Sequence, residues 1–335
     1  MTTKRTGLRG LWRGAAIGVV ATLAMAAAPA LAQNNAAANY PNKPIRIIVP
    51  FAAGGGNDLI ARLVGPKFSE LIGQTVILEN KPGAGGRLGA DYVMNQPHDG
   101  YTLFMGASGA MSIAAAIYPN LSYHPTKTYE PLSMIASFPL IMVIPKDHPA
   151  KNVKELAEWA KKNPSKSNYA ATSPAFIIPS ETLKLETGMP GTMIPYKSSN
   201  EMVLSVMQGQ TLFAIADGPP IIPQVEGKNV RALAVTGSKR SDSLPDVPSM
   251  AEQGYPGVNT QLWTGFFAPK GTPKPIVDKL EAALRKAIAD PKVSAGLKGM
   301  AINPGGGSSA EFRAMIDKDI EGYVAVIKKA NLKFN

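Results

Sequence analysis

Three glycine-rich loops are the segments best suited to chemistry, because each follows a short apolar run and precedes a helical pattern. They read PFAAGGGND from Pro50, ENKPGAGGR from Glu79 and GASGAMS from Gly106. Glycine permits sharp turns and a close approach of backbone N–H groups to a guest, and a following helix N-terminus favours negative charge. One such loop could equally be a tight turn. Three of them at one sheet edge predict a site for an anionic group.

The sequence lacks the usual nucleotide and hydrolase motifs. GAGGRLG from Gly83 has Leu88 where a dinucleotide fingerprint needs its third glycine, and no Gly-Lys-Ser/Thr sequence follows. GASGA lacks the last glycine of a nucleophile elbow, and Ser108 has no credible histidine base. The chain has no cysteine, and its histidines stand in turn-like sequences where we expect solvated side chains: His98, His124 and His148. We therefore predict no enzyme activity, no cofactor and no metal site.

The N-terminus has the character of an export signal. Four basic residues precede the uncharged run GAAIGVVATLAMAAAPALA, and Ala30-Leu31-Ala32 fits the small-x-small cleavage rule. A transmembrane anchor is the alternative, but the alanine-rich run and the cleavage triplet argue against it. We predict a signal peptide over residues 1–32, cleavage after Ala32 and a periplasmic location.

Charge gives little reason to expect a nucleic-acid partner. Removing the four basic residues of the signal leaves 31 of the 35 basic residues against 24 acidic ones, a net charge of +7. Both signs are mixed at helical spacing, as in KELAEWAKK from Lys154. A nucleic-acid-binding surface would instead need clustered basic residues. We predict no nucleic-acid binding and a monomer.

Strand and helix patterns alternate along the chain, which predicts an α/β fold with largely parallel sheets. IRIIV, TVILE and YTLFMG are typical of strands, and DLIARLVGPKFSELIG is typical of a helix. Asn152 with Glu155, and Ser308 with Glu311, have capping-box spacing and predict two helix starts.

Two long apolar strands predict two crossings between domains. PLIMVIPKDHP and NTQLWTGFFAPKGTP flank a complete α/β set, and the tail after them is helical. We predict a discontinuous lobe 1 over residues 33–140 and 265–335, with lobe 2 inserted over residues 141–264. Two sequential domains joined by one linker are the alternative.

Several segments together resemble a known family. YPNKPIRIIVPFAAGGGNDLIARL, ENKPGAGGRLGAD and DGYTLFMG are similar to the solute-binding proteins of tripartite tricarboxylate transporters, the Bug family. The likeness continues through IPYKSSNEMV and WTGFFAPKGTP and covers nearly the whole mature chain. The resemblance implies a two-lobed type II periplasmic binding protein with two hinge crossings. It also implies that the first loops grip a ligand carboxylate.

The candidate ligand-binding residues come from both lobes. In lobe 1 the resemblance implies binding by the first two loops, to which the third loop adds Ser108: Phe51, Ala52, Gly54, Gly55, Asn57, Asp58, Gly85, Gly86, Arg87 and Ser108. Asp58 would repel an anion, so we expect it to brace the loop, hold a water or meet an ammonium group. Strand ends of lobe 2 add Ser173, Phe176, Tyr196 and Asp217.

Departures from the family bear on specificity. Arg87 stands where relatives usually have asparagine, and it is either a solvated residue at a helix start or a charge-assisted carboxylate contact. TSPAFIIPS has Pro174 and Phe176 in place of flexible and polar groups, which predicts a less polar lobe 2 face. Phe176 and Tyr196 could also simply pack against helices.

The predicted function is capture of a small organic mono- or dicarboxylate, aromatic ones included, for the membrane subunits of a tripartite tricarboxylate-type transporter. One alternative is a periplasmic sensor that presents the bound carboxylate to a signalling partner. The other is a cleft enzyme using Asp58 and Asp217 as paired carboxylates. The chain offers no credible histidine base, no cysteine and no metal-ligating cluster, which argues against this enzyme.

Overall fold

The computed structural model describes residue 2, residues 39–300 and residues 302–334. The predicted signal peptide, apart from residue 2, therefore lies outside the described residues. Among the described helices, none combines the length and the apolar character needed to cross a membrane.

The described chain falls into three stretches, of which the first and third share one sheet. The first stretch contains β1 Ile45–Val49, α1 Gly56–Ile72, β2 Val76–Asn80, α2 Arg87–Met94, β3 Thr102–Ala107, α3 Ala114–Ile117 and β4 Tyr129–Pro139. The second contains β5 Ile141–Pro145, α4 Val153–Lys162, β6 Tyr169–Ala171, α5 Pro174–Thr187, β7 Met193–Pro195, α6 Ser199–Met207, β8 Phe213–Ala216, α7 Gly218–Glu226 and β9 Val230–Val235. The third contains β10 Gln261–Pro269, α8 Lys274–Ala289, α9 Pro291–Gly299, β11 Asn303–Gly306 and α10 Ser309–Lys329.

Two mixed sheets form the centres of two lobes. The first sheet has the order β11-β4-β10-β3-β1-β2, and the second has the order β7-β6-β8-β5-β9. The chain passes from the first sheet to the second at Leu140, between β4 and β5, and returns between β9 and β10. The predicted α/β fold with two crossings is confirmed. The sheets are mixed rather than largely parallel, because β10 and β5 each pair antiparallel with both of their neighbours. The bounds of the lobes stay a prediction, and the boundary after residue 264 falls inside β10.

Strand composition follows from burial on both faces. Ile45, Ile47, Ile48 and Val49 of β1 are all buried, as expected for a parallel strand covered by helices on both sides. On one side α1 contributes Phe68, which stacks on Phe266 of β10 with ring centroids 6.3 Å apart. Helix starts also follow the sequence, since Asn152 and Ser308 accept hydrogen bonds from the backbone N–H groups of Glu155 and Glu311.

The two lobes also touch through helices. Ile178 of α5, in lobe 2, joins a buried apolar cluster with Ile113 and Tyr323 of lobe 1. Helix α5 therefore packs against both α10 and the turn over Gly109–Ile113. Since α5 begins directly after Ser173, this contact joins the predicted lobe 2 site to the C-terminal helix.

Candidate functional site

The strand pairing brings the carboxyl edges of the two sheets to the same crossings. In the first sheet β1, β2 and β3 are parallel, while antiparallel β10 pairs Thr264 with Ala107 at the end of β3. In the second sheet Ile141, the first residue of β5, pairs with Ala216 at the end of β8. Because the crossings leave and enter the sheets at these edges, the predicted loops of both lobes lie beside the crossings, and a shared interlobe cleft between them stays a prediction.

The three glycine-rich loops of lobe 1 pack directly on one another. Gly86 has φ +96°, and a Cβ atom there would lie 3.1 Å from Ala110 Cβ, 3.4 Å from Pro50 Cβ and 3.5 Å from Phe51 Cζ. The second loop thus contacts the first and the third at a single glycine. Any larger residue would combine an unfavourable φ with crowding from both neighbouring loops.

Asp58 braces the first loop from inside. Its side chain is 1% exposed, Oδ2 accepts from Gly54 N–H at 2.9 Å and from Arg62 Nε at 2.8 Å, and Oδ1 accepts from Asn80 Nδ2 at 2.9 Å. Asn80 also donates to Phe51 O at 3.0 Å. Of the three roles considered for Asp58, the structure shows bracing of the loop.

These donors also set the protonation of Asp58. The hydrogen bond from Arg62 lowers the pKa of Asp58 to about 2, against the opposing effect of burial, and the donors Gly54 and Asn80 add to the lowering. The carboxylate is therefore ionised at neutral pH and compensated inside lobe 1. Because Arg62 compensates its charge, Asp58 would repel a bound carboxylate less than an unpaired aspartate would.

Some backbone donors of the first loop are already used. Gly54 N–H binds Asp58, and Gly55 N–H donates to Ala52 O at 3.2 Å. The loop backbone itself is accessible, with Ala52, Gly54 and Gly56 exposed. Helix α1 begins at Gly56, and the first N–H groups of a helix have no intrahelical acceptor. The start of α1 is thus the natural anion-binding part of this loop.

Arg87 has partners within lobe 1. Its Nε donates to Ala84 O at 3.0 Å, and its guanidinium lies 4.2 Å from the centre of the Tyr118 ring. Stacking on an aromatic face is a common arrangement for arginine. This half-buried side chain is neither freely solvated nor aimed unpaired at a guest, and its predicted ligand contact stays a prediction.

The hydroxyl of Ser108 is buried at the end of β3. Its Oγ accepts from Trp263 N–H at 3.3 Å, and Ser108 N–H donates to Trp263 O at 2.9 Å. These bonds join the third loop to β10, the strand of the second crossing. Ser108 therefore fixes the loop beside the cleft, and its predicted ligand contact stays a prediction.

The four predicted residues of lobe 2 do share the carboxyl edge of the second sheet. Tyr196 follows β7 and donates its backbone N–H to Ala171 O at 3.0 Å, while Ser173 precedes α5. Phe176 is only 8% exposed and belongs to the lobe 2 core, and Tyr196 packs partly against the same core. For Phe176 packing dominates.

Two buried oxygen atoms at predicted ligand-binding positions lack a hydrogen-bond partner. Among the described residues, the buried side-chain atoms without a hydrogen bond are Asn57 Oδ1, Asp217 Oδ1 and His148 Nε2. Asn57 lies in the first turn of α1, and Asp217 immediately precedes α7. Unpaired buried oxygens are uncommon in folded proteins. One therefore lies on each lobe at a predicted ligand-binding position.

The third unpartnered atom belongs to His148, which is not a predicted ligand-binding residue and lies in a turn after β5. Its Nδ1 accepts from Ala150 N–H at 3.2 Å, and its ring stands edge-on to Trp159 at 4.6 Å between centroids. His148 and His124 are half-buried rather than fully solvated, and burial lowers the pKa of both. Among the described residues, no group of three or more His, Cys, Asp or Glu could hold a metal ion.

Sequence reasoning missed the residues that hold the first loop in place. Asn80 and Arg62 each bond Asp58, yet neither was singled out as a site residue. A signal was present for Arg62, which stands four residues after Asp58 on the same helix. Asn80 ends β2, and only its pairing with β1 reveals the contact.

A cavity of about 570 Å³ lies between the lobes on the side of α10. It is lined by Ile178 and Thr182 of α5, by Trp263 of β10, and by Asp319 and Tyr323 of α10. Trp263 Nε1 donates to Asp319 Oδ2 at 2.9 Å. None of the predicted ligand-binding residues lines this cavity, and a ligand site at the two strand edges stays a prediction.

Asp319 should make stability depend on pH. Burial raises its pKa to about 6, so the folded protein keeps a proton that the unfolded chain loses above about 4. Stability should fall as pH rises through this window. Asp319→Asn retains an oxygen acceptor for Trp263 and should flatten that slope. Urea denaturation followed by tryptophan fluorescence from about pH 4 to 7 measures it, and an unchanged slope would contradict the assignment.

Comparison with known proteins decides the family. The model described as "Tripartite tricarboxylate transporter family receptor" matches residues 60–332. The chain belongs to this family. It is 31% identical over 323 residues to the Bordetella pertussis protein BugT, covering 95% of this chain and 97% of that one.

Several solved structures share the fold. The periplasmic binding protein BugD is 34% identical with a TM-score of 0.69, covering 88% of this chain and 99% of its own. R. palustris Rpa4515, solved with adipate, is 30% identical with a TM-score of 0.73 and the same coverage. MatC from Rhodopseudomonas palustris, solved with malate, is 28% identical with a TM-score of 0.69, covering 86% and 100%. The chain is a two-lobed solute-binding protein of the Bug type, as the sequence predicts.

Proposed function

We propose that this protein captures a small organic mono- or dicarboxylate, aromatic ones included, in the interlobe cleft. The observation that carries the proposal is the joined set of three loops, in which Asp58 is compensated internally and the start of α1 stays available for an anion. The carboxylates named for Rpa4515 and MatC support the same ligand class. Hinge closure at the two crossings would enclose the ligand between the lobes.

The family supports a membrane transporter as the partner. We propose that the liganded protein, acting as a monomer, delivers its carboxylate to the membrane subunits of a tripartite tricarboxylate-type transporter. The signal peptide directs the protein to the periplasm and is cleaved after Ala32. N-terminal sequencing of the periplasmic protein should start at Gln33, and any other start would overturn that cleavage site.

The proposal includes no catalysis. Both oxygens of Asp58 accept hydrogen bonds from the protein, and a carboxylate with a pKa of about 2 is a poor general base near neutral pH. Asp58 is therefore a poor candidate for the catalytic pair that the alternative enzyme, with Asp58 and Asp217 as paired carboxylates, would need.

A thermal-shift screen tests the proposal directly. Mono-, di- and aromatic carboxylates are added to the purified protein, with the corresponding amides as controls. A ligand at a hundred times its Kd stabilises the native state by about 2.7 kcal/mol, so a binder raises the melting temperature clearly. A screen in which carboxylates and amides behave alike would overturn the proposed function.

Gly55→Val should weaken binding of every carboxylate by about tenfold or more, with little change in stability. Gly55 has φ −76° and ψ 165°, which valine tolerates, but its Cβ would lie 3.2 Å from Ala52 O and its methyl groups would crowd the loop. Titration calorimetry measures the affinity. Gly299→Val is the control, because a Cβ there meets nothing within 4 Å. Normal affinity in Gly55→Val would remove this loop from the site.

A further inference from the structure

Asp217 occupies a helix-cap position that its own sequence prevents it from filling. It is the N-cap residue of α7, where an aspartate normally accepts a hydrogen bond from the N–H of the second or third helical residue. Those residues are Pro219 and Pro220, which have no N–H. The side chain accordingly makes no cap hydrogen bond, and Oδ1 is buried without a partner.

This free oxygen belongs to a residue at the carboxyl edge of the second sheet, beside the first crossing. Asp217 follows Ala216, which pairs with Ile141 where the chain enters lobe 2 from the first crossing. Leaving a buried acceptor unpaired costs about 1–3 kcal/mol, so a donor arriving with the ligand recovers that free energy. A second carboxylate at the same place would instead be repelled.

The opposite lobe presents an acceptor as well. Asn57 Oδ1, in the first turn of α1, is likewise buried without a partner. Asp58 beside it is fully engaged, so Asn57 is the polar group of that turn with unused capacity. Each lobe thus has an unpaired oxygen acceptor at a predicted ligand-binding position, in addition to the predicted anion-binding loops of lobe 1.

We propose that the ligand is a carboxylate that carries hydrogen-bond donors, with a hydroxyl, amide or ammonium group at its far end bound to Asp217 Oδ1. The site then prefers a donor-terminated monocarboxylate to a dicarboxylate of the same length. This inference rests on the proposed carboxylate function, and it adds the chemistry of the distal end.

Matched ligand series test the inference. Titration calorimetry near pH 7 compares alkanoates of three to six carbons with their ω-hydroxy and ω-amino derivatives and with dicarboxylates of equal length. The best donor-terminated ligand should bind at least about tenfold more tightly than its alkanoate and dicarboxylate counterparts, as expected for satisfying one buried acceptor. Equal affinities would overturn the inference, with water then satisfying Asp217, while leaving the proposed function intact. Binding of no carboxylate at all would overturn both.

Two variants locate the effect. Asp217→Asn keeps the shape of the side chain and removes its charge. The affinity ratio between the donor-terminated ligand and the dicarboxylate of equal length should then fall by about tenfold. Asp246→Asn changes an exposed acid of the same lobe and should leave the preference as in the parent protein. Melting curves establish that both variants are folded. A preference unchanged in Asp217→Asn would overturn the role of Asp217.

Discussion

Asp58→Ala should lower the free energy of unfolding by about 2–4 kcal/mol and weaken carboxylate binding by more than tenfold. The substitution leaves Gly54 N–H, Asn80 Nδ2 and Arg62 Nε without their common acceptor. It also removes the tie that holds the first loop against β2, and it leaves the positive charge of Arg62 uncompensated. Urea denaturation and titration calorimetry measure the two effects.

An exposed ion pair provides the matched control for Asp58. Asp278 pairs with Lys274 one helical turn away at 2.7 Å, but its side chain is 54% exposed. Asp278→Ala should therefore change stability by less than about 1 kcal/mol and leave binding unchanged. If the two alanine variants lose the same stability, Asp58 is no more than a surface charge.

Phe176→Ala should destabilise lobe 2 by about 3–5 kcal/mol. The ring is 8% exposed and packs in the lobe 2 core, so its removal leaves a cavity between α5 and the second sheet. Leu204→Ala is the control, because this α6 side chain is 48% exposed and its loss should cost much less. Thermal and urea unfolding followed by circular dichroism measure the difference.

A second substitution at the same position tests the sequence prediction that Phe176 forms an apolar wall for the ligand. Phe176→Leu preserves most of the buried volume and gives a folded protein in which ligand ranking can be measured. A changed ranking of carboxylates would support the wall. An unchanged ranking, with stability lost in Phe176→Ala, would make Phe176 a core residue alone.

Structural features that depend on neighbouring residues along the chain could be predicted from the sequence. Alternating strand and helix patterns gave the α/β class, and capping spacings located the starts of α4 and α10. Ordered motifs along the mature chain gave the family. Even the unfilled cap of Asp217 can be read from ADGPP, since prolines at the next positions lack the N–H groups a cap requires.

Tertiary structure alone decided which contacts each candidate residue makes. The sequence left three roles open for Asp58, and the structure shows the bracing role through the bonds from Arg62 and from Asn80 at the end of β2. Phe176 was assigned to the cleft by its position after β6, yet burial in lobe 2 takes most of its surface. The cause is the separation of the interacting residues along the sequence. Helix caps and strand periodicity depend on residues a few positions apart, whereas these partners meet only when separate strands pair and helices pack on them.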